Sequence, residues 1–200
     1  MSQLLTLLSF IKPMLATSGA PFDSDDYLFE IKWDGMRMLA FIEAGSYRLL
    51  NRHGRDATAR FPEFDFLAQW APGTVLDGEM VVLREGKPDF GLLQSRDKTR
   101  SALKINALSQ VEPATYIVFD VLYENHACLL KEPLQNRRQR LEDIVQRCKN
   151  PRLVLSQGIQ GRGRALFAAV CEQGLEGIMA KRLTSRYCPG QRSRDWIKIK

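Results

Sequence analysis

The chain is 200 residues long, with 44% hydrophobic and 26% charged residues, ten Phe, five Tyr and three Trp. That is enough apolar side chain for one sizeable core, so a disordered chain is excluded and a single domain is expected. The net charge of +6 is unevenly spread: residues 1–95 hold 9 Lys+Arg against 13 Asp+Glu, and residues 96–200 hold 20 against 10, so the second half is suited to a polyanion such as nucleic acid.

In chain order, the apolar run 4–11 has no basic residue before it and stops at Lys12-Pro13. It is too short to span a membrane and lacks the flanks of a signal peptide, so the expected location is the cytoplasm, with no membrane partner. Residues 27–33 (YLFEIKW) alternate as a strand, with Glu30 and Lys32 on one face and Phe29, Ile31 and Trp33 on the other. Asp34-Gly35 reads as a turn, and 36–43 as a strand returning antiparallel. Further strands are expected at 48–51 and 74–83, with a short helix at 62–70 between them. Residues 116–123 (YIVFDVLY) form a nearly continuous apolar run, consistent with a buried strand.

Residues 133–149 carry Leu134, Leu141, Ile144, Val145 and Cys148 at helical spacing behind a Pro. A second helix, 164–173, has Gly174 placed to stop it, and strands at 177–181 and 196–200 follow. This order predicts an α+β fold of mostly antiparallel sheets flanked by helices. Cys128, Cys148, Cys171 and Cys188 are widely spaced without a C-x-x-C pair, which argues for reduced thiols rather than a zinc site.

A lysine before an Asp-Gly turn is by itself a common hairpin feature. What carries weight is an ordered set: EIKWDGMR (30–37), NRHG (51–54), LDGE (76–79), VFD (118–120), EGIMAKR (176–182) and WIKIK (196–200). Together these resemble the signatures of covalent nucleotidyltransferases, and of ATP-dependent DNA ligases in particular. The stretches IKPMLAT (11–17), FGLLQSR (90–96) and PLQNRRQRLE (133–142) resemble the bacterial members.

The resemblance implies that Lys32 attacks the α-phosphorus of ATP to form a lysyl-AMP phosphoramidate. AMP would then pass to the 5′-phosphate of nicked double-stranded DNA, and the 3′-hydroxyl would seal the strand. A lysine near pKa ~10.4 is neutral in only about one part in a few thousand at pH 7, so Lys32 needs help; nearby Arg37, Lys198, Lys200 and bound Mg²⁺ (or Mn²⁺) are expected to disfavour its charged form.

By the same resemblance, Glu30 reads the adenine edge and Phe119 stacks on the base. Arg37 and Arg52 hold ribose or phosphate oxygens, Lys181 approaches the nucleotide, and Lys198 and Lys200 contact the α-phosphate. Glu79 and Glu176 serve as metal or ribose ligands, and such oxygen ligands suit a hard cation beside phosphates. Three basic clusters, Arg96/Lys98/Arg100/Lys104, Arg137/Arg138/Arg140 and Arg186/Arg192/Arg194, are candidates for DNA backbone contact, although Arg138 and Arg140 could equally face solvent.

Only 31 residues precede Lys32, too few for the nicotinamide-binding module of NAD-dependent ligases, so ATP is the expected cofactor. The chain ends with WIKIK, and the family's C-terminal OB-fold domain is expected to be absent from it, leaving the adenylation domain as residues 1–200. Such a chain should keep the nucleotide pocket and seal nicks poorly unless a separate OB-fold domain is supplied. RNA ligases and RNA-capping guanylyltransferases share the lysine chemistry and are the nearest alternatives. A non-catalytic nucleic-acid-binding module would show salt-sensitive binding without a covalent nucleotide.

Overall fold

The computed structural model describes residues 7–200, so the first part of the apolar run 4–11 lies outside the described residues. The strands are β1 (Leu15–Ser18), β2 (Tyr27–Ile31), β3 (Met36–Glu43), β4 (Ser46–Asn51), β5 (Thr74–Arg84), β6 (Lys87–Pro88), β7 (Ala114–Glu124), β8 (Ala127–Cys128), β9 (Leu153–Leu155), β10 (Gly158–Gln160), β11 (Ile178–Arg182) and β12 (Arg192–Ile199). The helices are α1 (Phe90–Lys98), α2 (Ala102–Val111), α3 (Leu134–Arg147) and α4 (Gly163–Glu172), and Pro62–Gln69 is a 3-10 helix. None of these helices is long and apolar enough to cross a membrane.

Two sheets result. One has the order β1-β12-β11-β2-β10; the other runs β4-β3-β5-β7-β8, with β6 against β5 and β9 against β7. Pairing is antiparallel except for β1 with β12 and β7 with β9. The mixed, mainly antiparallel architecture agrees with the reading of the sequence.

The apolar runs are explained by which faces are covered. Along β3, Met38, Ala40 and Ile42 join one core with Leu93, Leu141 and Ile144 of the helices, while Leu39 and Phe41 join a second core with Phe119, Tyr187 and Trp196. A strand buried on both faces has no polar side to alternate with, which is why 116–123 reads as continuous. A third core places Tyr27, Phe29, Ile178, Ala180 and Ile199 against Val170 of α4.

One expectation is overturned. Strand 36–43 does not return along 27–33 as a hairpin: β2 pairs with β10 and β11, and β3 pairs with β4 and β5 in the other sheet. Asp34-Gly35 is therefore a crossing between sheets. Gly35 makes that crossing possible, because a Cβ there would lie 2.2 Å from the carbonyl oxygen of Met80 on β5. The expected strand also ends at Ile31, before Lys32, whose backbone N–H donates to the Gly177 carbonyl at 2.8 Å.

The expected helices are present as α3, entered at Pro133, and α4, followed by Gly174 at φ 69°. Strands β1, β6, β8, β9 and β10 and helices α1 and α2 are not among the elements expected from the sequence. They are short, and α1 and α2 lack a clear apolar stripe; α1 is started by Asp89, whose carboxylate accepts from Leu92 N at 3.0 Å.

Candidate active site

The crossing between sheets sets Lys32 at the mouth of a cleft of about 280 Å³. Glu30 and Ile31 come from β2, Arg37 from β3, Glu79 from β5, Phe119 from β7, Lys181 from β11, Trp196 and Lys198 from β12, and Arg52 from just beyond β4. Of the predicted nucleotide-contacting residues, all but Glu176 and Lys200 line this one space. Glu176 lines an adjoining cavity of about 270 Å³ that shares Ile31, Lys32 and Trp33 with the first. A larger hollow of about 600 Å³ beside Tyr47, Thr58 and Arg100 contains none of the predicted nucleotide-contacting residues.

Charges alternate at the mouth. The Glu176 carboxylate accepts from both Lys32 and Lys200, so the nearest charged partner of Lys32 is an anion rather than the cluster of cations anticipated. Burial tends to raise the Glu176 carboxyl, but hydrogen bonds from Lys200 and Lys32 outweigh it and hold the group below its ordinary range. The same contact raises the Lys200 ammonium.

Glu79 is the reverse case. Burial pushes its carboxyl up to about 8, against the opposing influence of Arg37 and Lys32. Among the described residues no cluster of three or more metal-ligating side chains occurs. Glu79 and Glu176 nonetheless fit a cation that keeps its waters and takes phosphate oxygens as its other ligands, and such a charge would relieve the cost of ionising Glu79.

A test follows from the sign of this shift. A carboxyl whose folded pKa lies above its unfolded value of 4.5 holds its proton more tightly when folded, so the protein loses stability as pH rises from about 4.5 to about 8. Glutamine does not ionise. In chelator, Glu79→Gln is therefore expected to melt several degrees above the parent at pH 9, with the gap narrowing towards pH 5; a gap independent of pH, read by thermal melts, would count against a perturbed Glu79.

Deeper in the cleft, Arg37 is fixed rather than free. Its Nε and Nη2 donate to Asp77 Oδ1 and Oδ2 at 2.8 and 2.5 Å, and its Nη1 to the Met14 carbonyl at 3.0 Å. Burial opposes its charge, yet Asp77 raises the guanidinium above its ordinary value. Asp77, wholly buried, also accepts from the Tyr187 hydroxyl at 2.7 Å, so this member of LDGE anchors an arginine.

Phe119 is 9% exposed, with Trp196 edge-on at 6.1 Å, the Lys181 ammonium 4.0 Å and the Arg37 guanidinium 5.0 Å from its ring centre. Lys181 Nζ donates to Glu30 Oε2 at 2.6 Å, and burial lowers its pKa. Glu30 lines the cleft, and its Oε1 is buried without a partner in hydrogen-bond geometry, an acceptor position that a ligand N–H can fill. Arg52 lies exposed at the rim.

Two of the basic clusters are surface patches only in part, since Lys98, Arg100, Lys104 and Arg140 are exposed and the other members are not. Arg137 is fully buried and pairs bidentately with Asp120 at 2.8 Å, and Arg138, 6% exposed, pairs with Glu30 at 3.2 Å. Arg96 is buried against Glu63. Arg140 is exposed but paired with Glu124 and Glu132. Arg186, Arg192 and Arg194 remain exposed. The four cysteines are free.

Two sheets enclosing a cleft, with a lysine at its mouth, two carboxylates beside that lysine and an aromatic ring within, are the architecture of a nucleotidyltransferase domain. The family described as "ATP dependent DNA ligase domain" matches residues 13–200, and the chain belongs to that family.

It is 37% identical over 195 residues to the multifunctional non-homologous end joining DNA repair protein LigD of Mycobacterium tuberculosis, covering 95% of this chain and 24% of that protein. It is 33% identical over 192 residues to the SPbeta prophage-derived DNA ligase-like protein LigB of Bacillus subtilis, covering 95% of this chain and 67% of that protein. Among solved structures, the ligase domain of M. tuberculosis LigD superposes with a TM-score of 0.79 at 35% identity over 94% of this chain and 60% of that one. A mycobacterial DNA ligase D complexed with ATP and MES gives 0.81 at 35% identity, covering 97% of this chain and 61% of that one. The chain thus spans about a quarter of LigD.

Proposed function

We propose that this chain is the adenylation domain of an ATP-dependent DNA ligase. Lys32 Nζ, once deprotonated, forms a bond to the α-phosphorus of ATP while the bond to the pyrophosphate oxygen breaks. The AMP then passes to the 5′-phosphate at a nick in double-stranded DNA, and attack by the 3′-hydroxyl releases it. The observation that carries this reading is the convergence on one cleft of Lys32, Glu30, Phe119, Arg37 and Lys198 from four strands and the crossing between sheets. The neighbour complexed with ATP is consistent with it.

Within that scheme the side chains divide the work. Glu30 Oε1 accepts the exocyclic amine of adenine, and the Phe119 ring packs on the base. Arg37, oriented by Asp77, and Arg52 at the rim grip ribose or phosphate oxygens. Lys198 and Lys200 stabilise the charge that develops on the transferring phosphoryl group. Glu79 and Glu176 would hold Mg²⁺ or Mn²⁺, which screens phosphate charge when bound. Glu176 accepts from Lys32 and so favours its ammonium form, and this contact would have to loosen before Lys32 could attack phosphorus.

A C-terminal OB-fold domain, joined to these residues or supplied separately, would orient the leaving pyrophosphate and clamp the duplex. Residues 1–200 alone are expected to form the adduct while sealing nicks more slowly than a two-domain homologue. The deciding experiment is intact-protein mass spectrometry after incubation with magnesium and either ATP, GTP or NAD, beside a sealing assay on pre-adenylated nicked DNA. An adenylyl adduct from ATP alone supports the ligase reading. A guanylyl adduct indicates a capping-type enzyme, and no adduct with no sealing indicates a binding module.

A further inference from the structure

Arg138 has no role in the scheme so far, and its surroundings are unusual for an arginine on a helix. From α3 it reaches three segments behind the cleft: Nη1 lies 3.2 Å from Glu30 Oε1 on β2 and donates to the Phe119 carbonyl on β7 at 3.3 Å, while Nη2 donates to the Ser156 carbonyl, just past β9, at 2.7 Å. It is 6% exposed, and Glu30 is 1% exposed. The two residues assigned to the base, Glu30 by its carboxylate and Phe119 by its ring, are thus tied to one guanidinium. Lys181 hydrogen-bonds the other oxygen of Glu30, so each carboxylate oxygen has a cation beside it, while Oε1, with the Arg138 charge out of hydrogen-bond alignment, keeps an unfilled acceptor position.

We propose that Arg138 is a positioning residue that sets the preference for adenine over guanine by locking the Glu30 carboxylate and the Phe119 backbone in one arrangement. The inference rests on the adenine-pocket reading above and not on the lysyl-AMP chemistry. The physical basis is the donor pattern of the two bases. Adenine offers an amine to a fixed carboxylate oxygen; guanine offers a carbonyl at the same position, and two acceptors facing each other in a buried site leave both unpaired. Discrimination therefore depends on Glu30 being unable to rotate away. A planar guanidinium can hold a carboxylate and two carbonyls at once, and an ammonium keeps the charge without that geometry.

The neighbouring Arg137 supplies the control. It is as deeply buried on the same helix, but it pairs with Asp120 and with the carbonyls of Glu132 and Ser185, and it touches neither base-contacting group.

The test is the affinity of the full chain for AMP and GMP by titration calorimetry, since neither nucleotide can release pyrophosphate and adduct formation does not interfere. The parent is expected to favour AMP. Arg138→Lys should reduce the AMP:GMP affinity ratio by about tenfold. Arg137→Lys should lower the melting temperature and leave the ratio unchanged. Arg138→Gln, as a second variant, should shift the ratio in the same direction, and combining Arg138→Lys with Glu30→Gln should change it no further than Glu30→Gln alone. The proposal is overturned if the parent binds both nucleotides equally, if both arginine variants lose stability with the ratio intact, or if the effects of Arg138→Lys and Glu30→Gln simply add. Loss of the ATP adduct with AMP preference intact would instead overturn the lysyl-AMP reading.

Discussion

Lys32→Ala is expected to abolish the adenylyl adduct, with the rate of nucleotide transfer from ATP falling by at least about 10⁴-fold, because no other group can take over the bond to phosphorus. Lys181, deeper in the cleft, has its Nζ committed to Glu30 and the face of Phe119. Lys200 is held on the far carboxylate oxygen of Glu176. Lys32 alone is both at the junction of the two cavities and tethered by an ion pair that incoming charge can exchange. The substitution should leave the melting temperature nearly unchanged, since a partly exposed ion pair contributes little to stability. An adduct of undiminished yield, mapped by peptide mass spectrometry to another lysine, would remove Lys32 from the reaction.

The second large effect is on folding. Asp77→Ala is expected to cost about 3–5 kcal/mol in urea denaturation, the range for breaking a buried pair by removing one partner. It would strip the guanidinium of Arg37 of two charge-assisted bonds and the Tyr187 hydroxyl of its acceptor, all within the core between the sheets. Arg37 would then be free to swing, so adenylation should fall as well in whatever protein remains folded. A loss below about 1 kcal/mol, the scale of an exposed pair, would mean that Asp77 is solvated and does not anchor Arg37.

These two residues show how unevenly the site can be read from the chain. Lys32, Glu79, Phe119, Glu176, Lys181, Lys198 and Lys200 fall in short segments whose order and composition already indicate nucleotide chemistry, and the structure gathers them around two adjoining cavities. Asp77, two positions from Glu79 on the same strand, carries the same kind of carboxylate. Its role was decided by Arg37 and Tyr187, forty and more than a hundred residues away in sequence.

Arg137 and Arg138 carried a signal that charge counting obscured. Leu134, Arg137, Arg138, Leu141 and Ile144 follow one helical stripe, and all five are buried. The spacing places both arginines on the inner face of the helix, which their charge alone does not reveal.

The sequence by itself determined what depends on local order: the strands of five or more residues, the two helices with apolar stripes, the α+β class, and the segments proposed to carry the chemistry. Those features follow from periodicity, turn residues and residue type, which neighbouring positions are enough to fix. The tertiary structure decided which strand lies beside which. Glu30-Ile31-Lys32 and Arg37 looked like the two arms of one hairpin, yet they belong to different sheets. The backbone hydrogen bonds of β2 and β3 are equally well satisfied by any partner strand, so local sequence cannot choose among them. The choice fell to burial: Phe29 fits the core under α4, and Leu39 and Phe41 fit the core between the sheets, so the chain must cross at Gly35 and open the cleft beside Lys32.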